Sequence, residues 1–215
     1  MLRQDVNFFG HAAVASWSSP ASGVALGAML PDFATMAGIR LAGTADADVT
    51  AGIALHHATD AAFHTLPLVV ELMRELDTLL ERAGCARGPR RAVSHIGIEL
   101  LLDGVLVDDP TYRDAYTRGL HHDDPTLAFR ADPDDSPTRF VRLLARLRSY
   151  GVPDDLKSPL AITHRLSRML AHRPLLAPSP ADLDTMTPAL AAMKERVNGD
   201  GLKIINLLRA STRMH

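Results

Sequence analysis

The 215 residues contain one cysteine, Cys85, so no internal disulfide can hold this chain. The absence of any Cys pair also argues against thiolate-bound structural zinc. Lysine is nearly missing. Lys157, Lys194 and Lys203 are the lysines among 23 basic residues, so arginine clusters carry less meaning here than in a balanced composition. A net charge of −2 excludes the strongly basic character of a nucleic-acid binder. No long hydrophobic run is present. The longest, Ala21 to Leu30, is interrupted by Gly23 and Gly27 and stops at Pro31, too short to span a bilayer. Asp5 breaks the opening residues and no apolar core follows a basic start, so no signal peptide is expected. These absences predict a soluble protein of the reducing cytoplasm. Alternating β patterns and internal repeats are missing too.

What is present is helical periodicity. Val69, Leu72, Met73, Leu76, Leu79 and Leu80 share one helical face, and Gly84 ends that run. Ser136-Pro137 reads as an N-cap followed by a first-turn proline, with Phe140, Val141, Leu144 and Leu147 inward and Gly151 as the stop. Ser179-Pro180 repeats the device, with Asp182 at the third helical position and an expected end at Asn198-Gly199. A separate amphipathic segment then covers Leu202 to Ala210. His121 to Pro137, rich in Asp and Pro, reads as a loop or a lid. The chain, residues 1–215, is thus expected to be a single all-α domain of eight to ten helices.

Chemistry concentrates in the first half. Within Arg91 to Val107 apolar residues surround the helix, yet His95, Glu99 and Asp103 stack along one stripe at i, i+4, i+8. Burying carboxylates costs several kcal/mol each, by an order-of-magnitude estimate, unless a cation or a partner faces them. Arginines from neighbouring helices could serve, and so could a metal ion. His56, Asp60 and His64 repeat the spacing on another helix, with His57 three residues before Asp60. His and Asp one turn apart can share a divalent ion. His11 follows the Asn7-Phe8-Phe9 start of the first helix. Asp32 follows Leu30-Pro31, where an apolar helix is expected to end, and either projects into a pocket or caps the next helix. Mixed imidazole and carboxylate ligands without thiolate suit Mn²⁺, Fe²⁺, Zn²⁺ or Mg²⁺.

The runs NFFGH, GAMLPDF, GIALHHATD and ELLLDGVL, with Met169 to Pro174 (MLAHRP) later in the chain, resemble the acyl carrier protein phosphodiesterases. These are helical, divergent HD-domain-like phosphohydrolases. The resemblance carries family motifs onto His11, Asp32, His56, Asp60 and Asp103, and onto Arg173 through a shorter match. It departs from the family at His57-Ala58, where a basic residue is usual, and at Leu102 and Gly104, where an aromatic residue and a histidine are usual. His95 and Glu99 are then candidates to replace the missing histidine.

The resemblance implies a divalent ion, Mn²⁺ first, held by His11, Asp32, His56, Asp60 and Asp103, and the spacing of the Arg91 to Val107 stripe adds His95 as a ligand candidate. It implies hydrolysis of the phosphodiester that joins phosphopantetheine to acyl carrier protein. Glu99 or His57 would orient water or protonate the leaving alkoxide, and Arg173 would hold a phosphate oxygen. An acidic carrier would dock on a basic face such as Arg139/Arg142/Arg146 or Arg87/Arg90/Arg91, although an ordinary solvated face also accounts for either stripe. Two other readings stand beside this one. One is a zinc-dependent phospholipase C-like or nuclease-like helical hydrolase; the other is a non-catalytic helical interaction protein with salt-bridged polar stripes.

Overall fold

A computed structural model describes residues 8–130 and 136–212. Asp5, Asn7 and residues 131–135 of the Asp/Pro-rich segment lie outside the described residues. The elements, in chain order, are α1 (Phe8–Ser18), α2 (Ser22–Ala37), β1 (Leu41–Gly43), α3 (Ala47–Phe63), α4 (Pro67–Arg82) and α5 (Arg87–Leu106). They continue with α6 (Pro110–His121), β2 (Ala128–Phe129), α7 (Ser136–Tyr150), a 3₁₀ turn (Asp154–Lys157), α8 (Pro159–Leu170) and α9 (Pro180–Thr212). The fold is all-α, as the periodicity predicts, with two very short paired strands. Two compact units share the chain. The first takes the chain up to Ala61 and again from Leu106 to Pro153; the second takes Ala62 to Val105 and the chain from Asp154 onward. No helix among the described residues is long and apolar enough to cross a membrane.

In the first unit α1 is buried from Phe8 through Ala15 and packs against α2 and α6. Phe8 lies against Phe33 of α2 (5.6 Å between ring centroids), and Phe9 against Tyr116 of α6 (5.4 Å). Helices α2 and α3 cross at two glycines. A Cβ on Gly27 would sit 2.1 Å from the Val49 carbonyl oxygen, and one on Gly52 would sit 2.2 Å from that of Val24. No side chain fits between these backbones, and that closeness sets the spacing of the residues that follow on α3. The helix ends are tied as well. Asp46 Oδ1 accepts from the N–H groups of Asp48 and Val49 at the start of α3, and Asp46 Oδ2 lies 3.0 Å from His122 Nε2. The other ring nitrogen of His122 lies 2.9 Å from Ser22 Oγ at the start of α2. These contacts hold the Asp46 carboxyl below its usual range, with the Val49 N–H the largest cause.

Two expectations in this unit are corrected. Helix α2 does not end at Pro31. It continues to Ala37 and stops at Gly38, whose φ of 63° is left-handed and whose N–H bonds back to Ala34 and Thr35. Phe33 and Ala34 are buried along with the residues before the proline, and that packing outweighs the one backbone bond that Pro31 removes. Asp32 therefore sits inside a helix, 2% exposed, rather than at a helix start. The segment after His121 is not a free lid over its described part. Phe129 pairs with Leu41 between antiparallel strands, and Asp124 accepts from Thr44 and Thr126.

In the second unit Leu68, Val69, Leu72, Leu76 and Leu80 form the buried face of α4, which packs on α9; α8 packs on α9 too. Met73 and Leu79, expected on that face, are half-buried at its margins. Ser179 and Asp182 cap α9 reciprocally. The Asp182 N–H donates to Ser179 Oγ, while Asp182 Oδ2 accepts from the Ser179 N–H and hydroxyl. Asp182 Oδ1 also accepts from the Ala86 N–H just before α5 (2.7 Å), which pins two helix starts to one carboxylate.

Helix α9 departs from expectation by running through Asn198-Gly199 to Thr212. Leu190, Met193, Val197, Ile204, Ile205 and Leu208 are buried along it on both sides of the glycine. That packing outweighs the roughly 1 kcal/mol that glycine costs inside a helix. Gly104 of α5 meets the 3₁₀ turn so closely that a Cβ would lie 2.5 Å from the Leu156 carbonyl oxygen.

Candidate metal centres

In the first unit three side chains bring ligand atoms within 4.8 Å of one another: His11 of α1 and His56 and Asp60 of α3. His11 Nε2 lies 3.2 Å from Asp60 Oδ1, and His56 Nε2 lies 3.3 Å from Asp60 Oδ2, so the carboxylate bridges two imidazoles. Asp32 of α2 adds a second carboxylate, its Oδ2 at 3.9 Å from His11 Nε2. The two histidine rings are 4.0 Å apart, and His11, His56 and Asp32 are each at most 3% exposed.

The Gly27–Gly52 crossing decides the state of His56. It brings the Ala28 carbonyl within 2.9 Å of His56 Nδ1. A carbonyl only accepts, so Nδ1 carries the proton and Nε2 is left as the atom that faces Asp60. A backbone carbonyl on the second ring nitrogen is the kind of partner that orients histidines in metal sites. Burial is the largest influence on His11 and pushes its pKa down to about 4 despite the neighbouring Asp60, so the ring is neutral at physiological pH. Its Nδ1 has no hydrogen-bond partner among the described residues. For Asp60, burial acts upward, but hydrogen bonding to His11 and His56 outweighs it and holds the carboxyl well below the usual carboxylate range. Two buried imidazoles and two carboxylates brought together from three helices match the donor types of a divalent-cation site.

A second such group lies in the second unit, made of His64, His95 and Glu99. Glu99 Oε1 is 3.1 Å from His95 Nε2 and 3.7 Å from His64 Nε2, and the two rings are 4.6 Å apart. Glu99 is 1% exposed, while the histidines are about one-third exposed.

The two predicted stripes are therefore divided differently from their spacing. Helix α3 ends at Phe63, so His64 leaves the line of His56 and Asp60 and joins the α5 residues instead. His95 and Glu99 stay together, whereas Asp103, 2% exposed and one turn further along α5, belongs to neither close group. Glu99 stands between two histidines, His64 and His95. His57 is exposed on α3 with its ring edge-on to His56 at 5.2 Å. Arg173 lies in the turn after α8 in the second unit, half-buried, and burial lowers its pKa. Among the described residues no arginine pairs with Asp60 or Glu99; their partners are histidines. In the arginine stripes, Arg90 is engaged by Asp77 and Glu81 and Arg139 lies against Gly38, while Arg142 and Arg146 are exposed. Comparison with protein-family models, curated proteins and solved structures finds no match to this chain.

Proposed function

We propose that the protein is a metal-dependent phosphoric diester hydrolase with an ion at His11, Asp32, His56 and Asp60. The observation that carries the reading is the convergence of His11 and His56, both buried, on the two oxygens of one carboxylate, Asp60. Two imidazoles and two carboxylates without thiolate suit Mn²⁺, Fe²⁺, Zn²⁺ or Mg²⁺, and the resemblance puts Mn²⁺ first among them. Such an ion, when bound, polarises a phosphoryl oxygen and lowers the pKa of water.

The chain's own residues have separate tasks. The Ala28 carbonyl holds His56 in one tautomer. Asp60 ties His56 and His11 into one donor set, and Asp32 adds negative charge that favours a cation over a proton. His57, exposed beside His56, would carry a proton to the departing alkoxide. The resemblance of NFFGH, GAMLPDF and GIALHHATD to acyl carrier protein phosphodiesterases makes holo acyl carrier protein the first substrate to test. Exposed Arg142 and Arg146 on α7, in the same unit, suit an acidic partner. The single buried Cys85 is compatible with a reducing cytoplasm.

The test uses metal-stripped protein reloaded with Mn²⁺ and incubated with holo acyl carrier protein, with bis(p-nitrophenyl) phosphate in parallel. Release of phosphopantetheine is expected. Hydrolysis of the simple diester alone would retain the reaction and reject the carrier. No hydrolysis of either substrate with Mn²⁺, Fe²⁺ or Zn²⁺ would reject the reading.

A further inference from the structure

We infer that His64, His95 and Glu99 form a second divalent-ion site, with a donor set that suits Zn²⁺, able to fill independently of the first. His95 and Glu99 stand one turn apart on α5, so their side chains meet over one face. Glu99 is buried among the apolar residues of that helix at 1% exposure. Its Oε1 faces both histidines, and its Oε2 has no hydrogen-bond partner among the described residues. A carboxylate so placed requires compensating positive charge, and no arginine or lysine among the described residues pairs with it.

His64 is brought in by local backbone geometry. It follows directly on the last residue of α3, in a turn closed by Thr65 N–H to Ala62 O and Leu66 N–H to Phe63 O. Phe63 and Leu66 are buried and anchor the turn on both sides, and the Phe63 ring meets the His64 ring edge-on at 5.4 Å. The three donors are thus fixed by a helix and a clamped turn before any ion arrives.

Two histidines and a glutamate match the donor set of three-ligand zinc sites that keep a coordination position open. Here the histidines are about one-third exposed while the carboxylate is buried, so the open side faces solvent. The ligand expected there is a solvent-borne oxygen anion such as phosphate. The site does not rest on the hydrolase reading, because no residue of the first group contributes to it.

The experiment is calorimetric titration of the metal-stripped full chain with Zn²⁺, with bound ions counted by elemental analysis after dialysis. Wild type is expected to bind two equivalents. His95→Ala, His64→Ala and Glu99→Gln are each expected to lose one equivalent and keep the other, whereas His56→Ala loses the other one. Glu99→Gln keeps the size of the buried side chain, and circular dichroism of each variant reports whether the helices persist. One equivalent in wild type, unaffected by Glu99→Gln or His95→Ala, would overturn this site and leave the first standing. One equivalent lost in His95→Ala but kept in His56→Ala would overturn the first group and leave this one. No bound Zn²⁺ in wild type would overturn both.

Discussion

At His56 a single backbone carbonyl decides which ring nitrogen carries the proton, and nothing in the local sequence announces it. The i, i+4 spacing of His56 and Asp60 on an apolar helix was legible, and so was the charge problem posed by Glu99. The tautomer was not, because the Ala28 oxygen that fixes it lies 28 residues away and arrives only through a helix crossing. His64 was placed with the wrong companions for a related reason. The i+8 position continues a stripe only while the helix continues, and α3 stops one residue short. Pro67, three residues later and the first residue of α4, was the signal that a turn intervenes. Gly104 shows the limit of reading by resemblance. The histidine usual there has no room, since even a Cβ would lie 2.5 Å from the Leu156 oxygen. Gly104→His is expected to destabilise the protein by about 2 kcal/mol or more, as overpacked sites do. Urea denaturation checks this, and an unchanged midpoint would contradict the close approach.

The capped, proline-led start was read correctly at α9, whereas α7 begins at Ser136 itself, whose buried Oγ has no hydrogen-bond partner among the described residues and so caps nothing. Helix ends fared worse, because Pro31 and Gly199 mark where a helix is weakened, and burial beyond each point overrides the weakness. The α2–α3 crossing yields a prediction that joins packing to chemistry. Gly27→Ala or Gly52→Ala must push the two backbones apart and lengthen the bond between Ala28 and His56. Each is expected to cost about 1–3 kcal/mol of stability and to weaken metal binding at the first group while sparing the second. Titration with Zn²⁺ beside urea melts separates the two effects.

The Asp182 cap makes a pH-dependent prediction. Burial acts to raise its pKa, but the N–H groups of Ala86 and Ser179 and the Ser179 hydroxyl outweigh it and depress the folded value. A depressed carboxyl stabilises the fold above its unfolded pKa of about 3.9, and that contribution is lost as pH falls through the folded value. Asp182→Asn is therefore expected to lose about 1–3 kcal/mol at neutral pH, the worth of hydrogen bonds to a charged group. The gap from wild type should close below about pH 4. Urea midpoints from pH 3 to 7 measure it; a constant gap across that range would contradict the assignment.

For the whole molecule, composition and periodicity sufficed to give the all-α class, since no segment offers the alternation that a sheet needs. The division into two compact units was not legible. Each unit is assembled from two stretches of chain, and no linker composition marks the boundaries at Ala61 or Val105. Each unit carries one His/His/carboxylate group, so ions that bind the folded chain but not the unfolded one should stabilise it. An ion at a hundred times its Kd contributes about 2.7 kcal/mol. For a chain of this length that corresponds to roughly 5–10 °C in Tm. Removing metal with a chelator should lower the melting temperature by that amount, and adding Mn²⁺ or Zn²⁺ should restore it. Identical melts with and without chelator would count against metal at either group.

We propose Asp60 as the shared carboxylate of a hydrolytic metal centre. Its most direct test is one paired measurement on Asp60→Ala and wild type, of metal content by elemental analysis and of bis(p-nitrophenyl) phosphate hydrolysis at saturating Mn²⁺. The variant is expected to lose one equivalent of metal and nearly all hydrolysis together, with its helical circular dichroism unchanged. Full metal content with undiminished hydrolysis in a folded Asp60→Ala protein would contradict it.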